Sequence, residues 1–198
     1  MQKKHIQIII PCYNERDNIK VLYQAIKTVF DESELKEKYT HSFIFVDDGS
    51  SDGSKTLLQE LSSEHTNIHF LSFSRNFGHQ LAVKAGLDYA TGDAVISMDA
   101  DMQHPPHLIP TLLQKWEEGN QVVATLRSYP AEISKKKDKT SKYFYKLLNL
   151  ISDVEIKEGS ADFRLLDKSV VSIIKSMKES EPFLRGIIPW VGFNQIYI

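Results

Sequence analysis

The fold is decided by residues 94–103, which read Ala-Val-Ile-Ser-Met-Asp-Ala-Asp-Met-Gln. A short apolar run followed at once by aspartates is typical of a buried strand that ends in a polar loop. The run at 94–98 has four counterparts rich in β-branched and aromatic residues, each followed by polar residues, Gly or Pro: 6–10, 42–46, 68–73 and 121–126. We therefore predict five strands from these runs.

Segments with helical spacing of apolar residues separate these strands. The spaced residues run from Ile19 to Phe30, from Leu57 to Leu61, from Leu81 to Tyr89 and from Ile109 to Trp116. Strict alternation of strand and helix predicts an α/β fold, with a mostly parallel sheet covered on both faces.

The predicted helix ends carry the expected residue types. Asn14, Ser51 or Asp52, and Pro105-Pro106 stand where helix caps and first-turn prolines belong, and Gly119 closes the fourth helix. Later in the chain we predict a helix over about 141–151, a strand at 163–166, a helix around 170–177 and an extended run at 193–198.

Composition excludes several classes of protein. The 198 residues carry 24 Lys+Arg against 26 Asp+Glu and are 41% hydrophobic, which favours one packed domain over a disordered or fibrous chain. A net charge of −2 disfavours nucleic-acid binding through a broad basic face. The apolar runs are far shorter than the roughly 18 residues of a membrane-spanning helix. No charged and then apolar leader follows Met1, and Cys12 is the only cysteine, so neither a secretory leader nor a disulfide framework is expected.

Polar residues follow four of the predicted strands, at 11–15, 47–50, 74–76 and 99–103. Ligands of open parallel sheets bind beyond the carboxyl ends of the strands, so we expect these residues to converge on one edge. The first turn has no glycine and the chain has no Walker A sequence. This disfavours dinucleotide oxidoreductases and P-loop enzymes.

Asp99 and Asp101 form an Asp-x-Asp triplet directly after an apolar strand. With 13 aspartates in the chain, about one such triplet is expected by chance, so the triplet alone means little. Two carboxylates at the end of a buried strand favour a bound divalent cation, although loop capping stays open. Asp47-Asp48-Gly49-Ser50 is as consistent with an ordinary turn that leads into the next helix as with a ligand-binding loop.

Six ordered motifs together resemble the family 2 glycosyltransferases with the A-type fold, a mostly parallel, Rossmann-like sheet flanked by helices. They lie at 10–15, 46–52, 74–78, 99–106, 160–167 and 183–186. Within that family the motifs look most like the polyprenyl-phosphate glycosyltransferases, which include bactoprenol glucosyltransferases and dolichol-phosphate mannose synthases.

The resemblance implies a role for each matching residue. Pro11, Tyr13, Glu15 and Asp47 are expected around the base and ribose of a nucleotide sugar, with Asp48 sharing that role. Asp99 is similar to the ribose and metal contact, and Asp101 and Gln103 to the ligands of Mg²⁺ or Mn²⁺. Arg127, Lys137 and Ser141 resemble the clamp on the acceptor phosphate, and Asp162 and Arg164 face the reacting centre.

Two residues depart from the family pattern. His104 stands where many relatives have an aspartate, so we do not count it as a metal ligand, and we expect both His104 and His107 at the surface. Lysine at 137 replaces the usual arginine.

The implied reaction is inverting transfer of a sugar from a UDP- or GDP-sugar to polyprenyl phosphate, at the cytoplasmic face of the plasma membrane. Residues 1–198 are expected to be one catalytic domain, truncated before a C-terminal membrane region that would also allow a homo-oligomer. Lysines 135, 136, 137, 139, 142 and 146 would meet the anionic membrane surface, although a charge run also fits a solvated face.

Three other readings stay open. A soluble family 2 transferase acting on a hydroxyl of a polysaccharide, protein or lipid would need Asp162 as a general base. An inactive sugar-nucleotide-binding scaffold is disfavoured by the intact Asp99, Asp101 and Asp162. A sugar-nucleotide pyrophosphorylase is disfavoured because no Gly-rich basic turn follows Ile10.

Overall fold

The computed structural model describes residues 2–31, 34–126, 159–180 and 182–198. Its central feature is a seven-stranded sheet. The strands are β1 (Lys4–Cys12), β2 (Tyr39–Asp47), β3 (Ile68–Ser72), β4 (Ala94–Ser97), β5 (Val122–Leu126), β6 (Ser160–Asp167) and β7 (Gln195–Tyr197). Every predicted strand is therefore present, with ends that differ by a few residues.

Helices separate the strands as predicted. They are α1 (Arg16–Asp31), α2 (Leu35–Lys38), α3 (Ser54–Glu64), α4 (His79–Tyr89), α5 (Ile109–Glu117), α6 (Lys168–Ser176) and α7 (Leu184–Trp190), with a 3-10 turn at Pro106–Leu108. The short helices α2 and α7 were not predicted. The helix predicted over 141–151 lies outside the described residues. No helix in the described part of the chain is long and apolar enough to cross a membrane.

The order of the strands places the functional edge. It runs β3-β2-β1-β4-β6-β5-β7. β1 pairs in parallel with β2 and with β4, and β2 pairs in parallel with β3. β6 runs antiparallel to both β4 and β5, with Ser97 opposite Arg164. Continuing that register by two residues brings Asp162 beside Asp99, so the start of β6 joins the edge where β4 ends.

The sheet is buried on both faces. Alternate residues of β1 divide between them: Ile8 packs in the cluster with α1, α3 and α5, whereas Ile9 packs with α4, α6 and α7. Burial on both faces explains why the strands read as continuous apolar runs instead of alternating with polar residues.

One predicted helix cap is wrong. Asn14 has a φ of 57° and its Oδ1 accepts a hydrogen bond from the Ser51 N–H (2.9 Å), so it holds a neighbouring loop. The first N–H of α1, on Arg16, donates instead to Oδ2 of Asp52 (3.0 Å). Oδ1 of Asp52 accepts from the Ser54 N–H (2.9 Å), so one carboxylate serves the starts of α1 and α3.

Candidate active site

A cavity of about 330 Å³ opens at the carboxyl ends of β1, β2 and β4. Its lining includes the predicted donor-binding and metal-binding residues Pro11, Tyr13, Glu15, Asp48, Asp99 and Asp101, together with Asn76 and His79. The parallel strands thus bring together residues from four separate motifs, as the strand-end argument requires.

Asp47 and Asp48 have different surroundings. Both oxygens of the buried Asp48 accept backbone hydrogen bonds, from the N–H groups of Phe77 (2.6 Å) and Gly78 (2.9 Å), and the residue lines the cavity. Asp47 is fully buried, accepts from Ser50 N–H and the Ser72 hydroxyl, and does not line the cavity. Asp47 therefore has the contacts expected of a turn residue. The predicted contact between Asp47 and the donor remains a prediction.

Gly49 lets the loop after β2 meet the loop after β3. Its φ is +73°, and a Cβ there would lie 2.4 Å from the carbonyl carbon of Arg75. A side chain would therefore push apart the two loops that Asp48 joins by its hydrogen bonds.

The loop after β1 forms one wall of the cavity. Tyr13 is half exposed and therefore open to a stacking ligand, and Oε2 of Glu15 accepts from the amide of Asn18 at 2.6 Å. Burial, with the nearby charges of Asp47 and Glu15, raises the pKa of the Cys12 thiol well above its usual value. Cys12 is therefore protonated and is not a nucleophile.

Asp99 lies between two histidines. Nε2 of His79 is 2.7 Å from Oδ1 of Asp99, and the Asp99 N–H donates to Nδ1 of His104 at 2.9 Å. Burial acts to raise the pKa of Asp99, but the His79 hydrogen bond and the charges of His104 and His79 outweigh burial and lower it. Burial acts to lower the pKa of His79, but the hydrogen bond and the charge of Asp99 outweigh burial and raise it.

The predicted surface position of His104 is wrong, whereas His107 is exposed as expected. His104 is only 3% exposed, and its ring stacks on Phe163 with centroids 5.4 Å apart. The aromatic packing and the hydrogen bond to the Asp99 backbone give the imidazole a structural role in shaping the loop after β4.

Of the predicted metal ligands, Asp99 and Asp101 line the donor cavity, whereas Gln103 does not. Asp101 is half-buried and its Oδ1 accepts from the Gln103 N–H at 3.0 Å, whereas the Gln103 side chain is exposed. Within the described residues, no group of three or more His, Cys, Asp or Glu side chains is arranged so that it could hold a metal ion by itself. This donor set fits Mg²⁺ or Mn²⁺ of the kind held by one or two carboxylates and completed by substrate phosphates and water.

A second cavity of about 360 Å³ adjoins Asp162 and is lined by His79, Gln80, Asp99, Asp162, Phe183 and Arg185. Arg185 donates to both oxygens of Asp162, from Nε to Oδ1 at 3.0 Å and from its terminal nitrogen to Oδ2. The buried Arg164 donates to Oδ1 at 3.1 Å and to the Ala161 carbonyl. The two predicted reaction-centre residues, Asp162 and Arg164, are thus in direct contact.

Arg164 and Arg185 determine the protonation state of Asp162. Burial acts to raise its pKa, but the Arg185 hydrogen bond and the charges of Arg164 and Arg185 lower it below the usual value. An ionised carboxylate whose two oxygens are both occupied is well suited to orient arginines and poorly suited to take up a proton.

Two residues of the site, Arg185 and His79, were not predicted from the sequence. Arg185 lies in the Phe-Leu-Arg-Gly motif, to which no role was given, and His79 directly follows the Ser-Arg-Asn-Phe-Gly motif. The motifs could therefore have indicated both residues. Which residue each one pairs with, Asp162 for Arg185 and Asp99 for His79, is determined by the fold. Arg127, Lys137, Ser141 and the lysine run lie outside the described residues, so the acceptor-phosphate clamp stays a prediction.

A model of the family described as Glycosyl transferase family 2 matches residues 7–174. The chain belongs to this family. It is 43% identical over 194 residues to an uncharacterized glycosyltransferase, YkcC, of Bacillus subtilis (strain 168) and 42% identical over 187 residues to a prophage bactoprenol glucosyl transferase homolog of Escherichia coli (strain K12). These alignments cover 97% and 94% of this glycosyltransferase, but only 59% and 60% of the relatives.

Solved structures confirm the predicted A-type glycosyltransferase fold. The mannosyltransferase PcManGT from Pyrobaculum calidifontis, in complex with GDP-Man and Mn²⁺, matches the whole chain with a TM-score of 0.66 at 18% identity, over 55% of its own length. Staphylococcus aureus TarS 1-349 matches the whole chain with a TM-score of 0.62 at 16% identity, over 58% of its length. At identities of 16–18%, the similarity to these structures establishes only the fold of this family 2 member.

Proposed function

We propose that this chain carries the catalytic site of an inverting glycosyltransferase that moves a sugar from a nucleotide sugar to polyprenyl phosphate. The observation that carries the proposal is the ionised Asp162, held by Arg164 and Arg185 beside the donor cavity. The bactoprenol glucosyl transferase named among the relatives supports the same acceptor class.

The state of Asp162 favours a phosphate acceptor over a hydroxyl acceptor. A hydroxyl must lose its proton during transfer, which requires a group able to accept it. A phosphate monoester has a second pKa near ~6, so it is already largely ionised at neutral pH. Asp162 then acts by holding Arg185 in place at the second cavity, where its guanidinium group offsets the charge of reacting phosphates.

The donor cavity supplies the other half of the reaction. Its polar wall after β1 and the carboxylates of Asp48 and Asp99 suit the base, ribose and sugar of a nucleotide sugar. Asp101, with Asp99 and Gln103, would hold Mg²⁺ or Mn²⁺. When bound, the ion supplies Lewis-acid stabilisation of the charge on the leaving nucleoside diphosphate. Mn²⁺ accompanies a nucleotide sugar in the PcManGT structure, which supports this assignment.

An acceptor with a polyprenyl tail requires a site near a membrane. We propose that the whole protein works at the cytoplasmic face of the plasma membrane, with the lysines at 135–146 facing anionic lipid.

The test measures release of nucleoside diphosphate from UDP-glucose, UDP-N-acetylglucosamine and GDP-mannose, with three acceptors in detergent. Undecaprenyl phosphate is the expected acceptor, undecaprenol has the same tail without the phosphate, and water alone reports hydrolysis. Release should depend on undecaprenyl phosphate and on Mg²⁺ or Mn²⁺, and a sugar-phosphate lipid should form. Equal release with undecaprenol would favour a hydroxyl acceptor, and binding of nucleotide sugar without transfer to any acceptor would favour a scaffold.

A further inference from the structure

His79 stands at the junction of the two cavities. Only His79 and Asp99, among the described residues, line both the donor cavity and the cavity beside Asp162. His79 is the first residue of α4, and its side chain is 38% exposed, so the imidazole is accessible at this junction.

The proposed function, on which this inference rests, places the transferred sugar at the same junction. In a single inverting displacement the nucleophile and the leaving group approach opposite faces of the anomeric carbon. The nucleoside diphosphate therefore lies on one side of the sugar and the acceptor phosphate on the other. If the first cavity takes the nucleotide and the second takes the acceptor, the sugar between them lies against His79.

The two ring nitrogens of His79 differ in their partners. Nε2 is held by Oδ1 of Asp99 at 2.7 Å, which fixes the orientation of the ring. Nδ1 is 3.3 Å from the amide nitrogen of Gln80 and 3.9 Å from Oδ2 of Asp162. A contact of 3.3 Å is long for a hydrogen bond, so a better-placed hydroxyl can replace Gln80 at Nδ1.

We propose that His79 is a specificity-determining residue that binds a hydroxyl of the transferred sugar through Nδ1, while Asp99 holds the ring in place. A site that hydrogen-bonds a substrate hydroxyl disfavours sugars that place this hydroxyl elsewhere, because a polar group is then left without its partner. His79 therefore helps to select among sugars with the same nucleotide.

A purely structural role for His79 would have a different consequence. If the imidazole served only to hold Asp99, its loss would weaken binding of the nucleoside diphosphate and of the nucleotide sugar alike. A sugar contact instead affects only ligands that carry the sugar, so comparing the two kinds of ligand separates the roles.

The experiment compares wild type, His79→Ala and His79→Asn by calorimetry with Mn²⁺ present. The ligands are UDP and GDP, then UDP-glucose, UDP-galactose and GDP-mannose. Both variants should bind the bare nucleoside diphosphate within twofold of wild type, and bind the preferred nucleotide sugar about fivefold to tenfold more weakly, as expected for one lost hydrogen bond. The preference for one sugar over its epimer should shrink by a similar factor. His107→Ala, at an exposed histidine outside both cavities, is the matched control and should change neither affinity.

Three outcomes would overturn the inference. An equal loss of affinity for nucleoside diphosphate and nucleotide sugar would assign His79 to positioning Asp99. Unchanged affinity for every ligand would remove His79 from the site while leaving the proposed function intact. Failure of the wild type to bind any of these ligands would overturn the proposed function as well. Circular dichroism and thermal unfolding of both variants identify a folding defect, and His79→Asn keeps an amide near Asp99 should the alanine variant unfold.

Discussion

Asp162 is the residue whose surroundings most limit its chemistry. Its carboxylate accepts hydrogen bonds from Arg164 and Arg185, and the side chain of Arg164 is almost fully buried. A buried guanidinium without a counter-charge is unfavourable, so Asp162 stabilises the fold as well as orienting the two arginines. Function and stability should therefore respond together to its substitution.

Replacing Asp162 with asparagine should lower the free energy of unfolding by about 3 kcal/mol at neutral pH, because Arg164 stays charged and buried. The folded-state pKa of Asp162 is depressed. Its contribution is therefore fully present above the unfolded value of ~3.9 and is lost as pH falls through the folded value, so the difference should shrink below about pH 4. Urea unfolding at several pH values measures this. Asp88→Asn, in the exposed pair with Lys84, is the control and should cost less than about 0.5 kcal/mol.

Turnover of Asp162→Asn should fall without loss of an acidic limb between pH 5 and 8, since Asp162 is already ionised there and the titrating group is the acceptor phosphate. An acidic limb present in wild type and absent from the variant would instead support a general base and a hydroxyl acceptor.

Asp101→Asn should remove the dependence of nucleotide-sugar binding on a divalent ion. Asp101 is half-buried and lines the donor cavity, so the fold should be unaffected. Affinity with Mn²⁺ should fall roughly tenfold or more, toward the value of wild type in chelator, because an ion bridging carboxylate and phosphate loses a protein ligand. Calorimetry with Mn²⁺ and with EDTA measures both, and Asp17→Asn on the exposed first turn of α1 is the control. Equal affinity in all four conditions would contradict the metal assignment.

At the scale of elements, the site is built from loops that brace one another at the ends of β1, β2 and β3. Asp48 receives two N–H groups from the loop after β3, and Asp52 receives the first N–H of α1. Each loop is therefore held by a neighbouring loop as well as by its own residues, so a substitution in one loop should change the shape of the cavity.

Gly49→Ala should disturb this bracing. The substitution combines a positive φ with a contact of 2.4 Å to backbone, so the free energy of unfolding should fall by at least about 2 kcal/mol. Affinity for the nucleotide sugar should fall too, since Asp48 moves with the loop. The matched control is Gly119→Ala, with φ +98° and open space around it, which should cost only about 1 kcal/mol and leave affinity unchanged. Equal costs for the two variants would show that the loops do not meet closely.

Asp52→Ala should weaken the starts of α1 and α3 together and lower the free energy of unfolding by about 1–2 kcal/mol. The weak burial of Asp52 acts to raise its pKa, but hydrogen bonds from Ser54 and Arg16 outweigh burial and lower it. The stabilisation is therefore present above about pH 4 and lost as pH falls through the depressed value. Thermal unfolding from pH 3 to 7 measures it. Asp52→Asn keeps most of the capping and should be close to wild type at pH 7; a loss as large as that of alanine would contradict the capping account.

At the scale of the whole molecule, the antiparallel strand β6 completes the site. It places Asp162 and Arg164 beside β4, so the second cavity joins the donor cavity at one edge of the sheet. A ligand that reaches both cavities approaches the molecule from that edge. The proposed membrane acceptor would require the same edge to face the lipid surface.

Replacing Lys135, Lys136, Lys139 and Lys142 with glutamine should weaken binding to anionic vesicles at low salt. Each lysine near such a surface contributes about 1 kcal/mol, and salt screens this attraction over a Debye length. Co-sedimentation with vesicles containing phosphatidylglycerol, at 50 and 500 mM salt, measures the effect. Replacing the exposed Lys20, Lys36, Lys55 and Lys178 in the same way removes equal charge elsewhere. Equal loss in both variants, or binding indifferent to salt, would contradict a specific role for the segment.

The sequence by itself determined the strands, the longer helices of the described residues, the parallel part of the sheet and the edge that carries the cavity. Apolar periodicity and turn residues are local properties, and parallel strands place their carboxyl ends together whatever their order. Pro11, Tyr13, Asp48, Asp99 and Asp101 could therefore be assigned to one cavity from sequence alone, and PcManGT and TarS confirm the predicted fold.

Only the tertiary structure decided which charged groups meet. Asp99 pairs with His79, 20 residues away, because the end of β4 and the start of α4 meet at the donor cavity. Asp162 pairs with Arg185, 23 residues away, because β6 runs antiparallel beside β4 and α7 begins near α4. His104 is buried for the same kind of reason, since its partner Phe163 comes from β6. No local pattern encodes the order of strands, so the ion pairs of Asp162, on which the proposed phosphate acceptor rests, follow from tertiary packing.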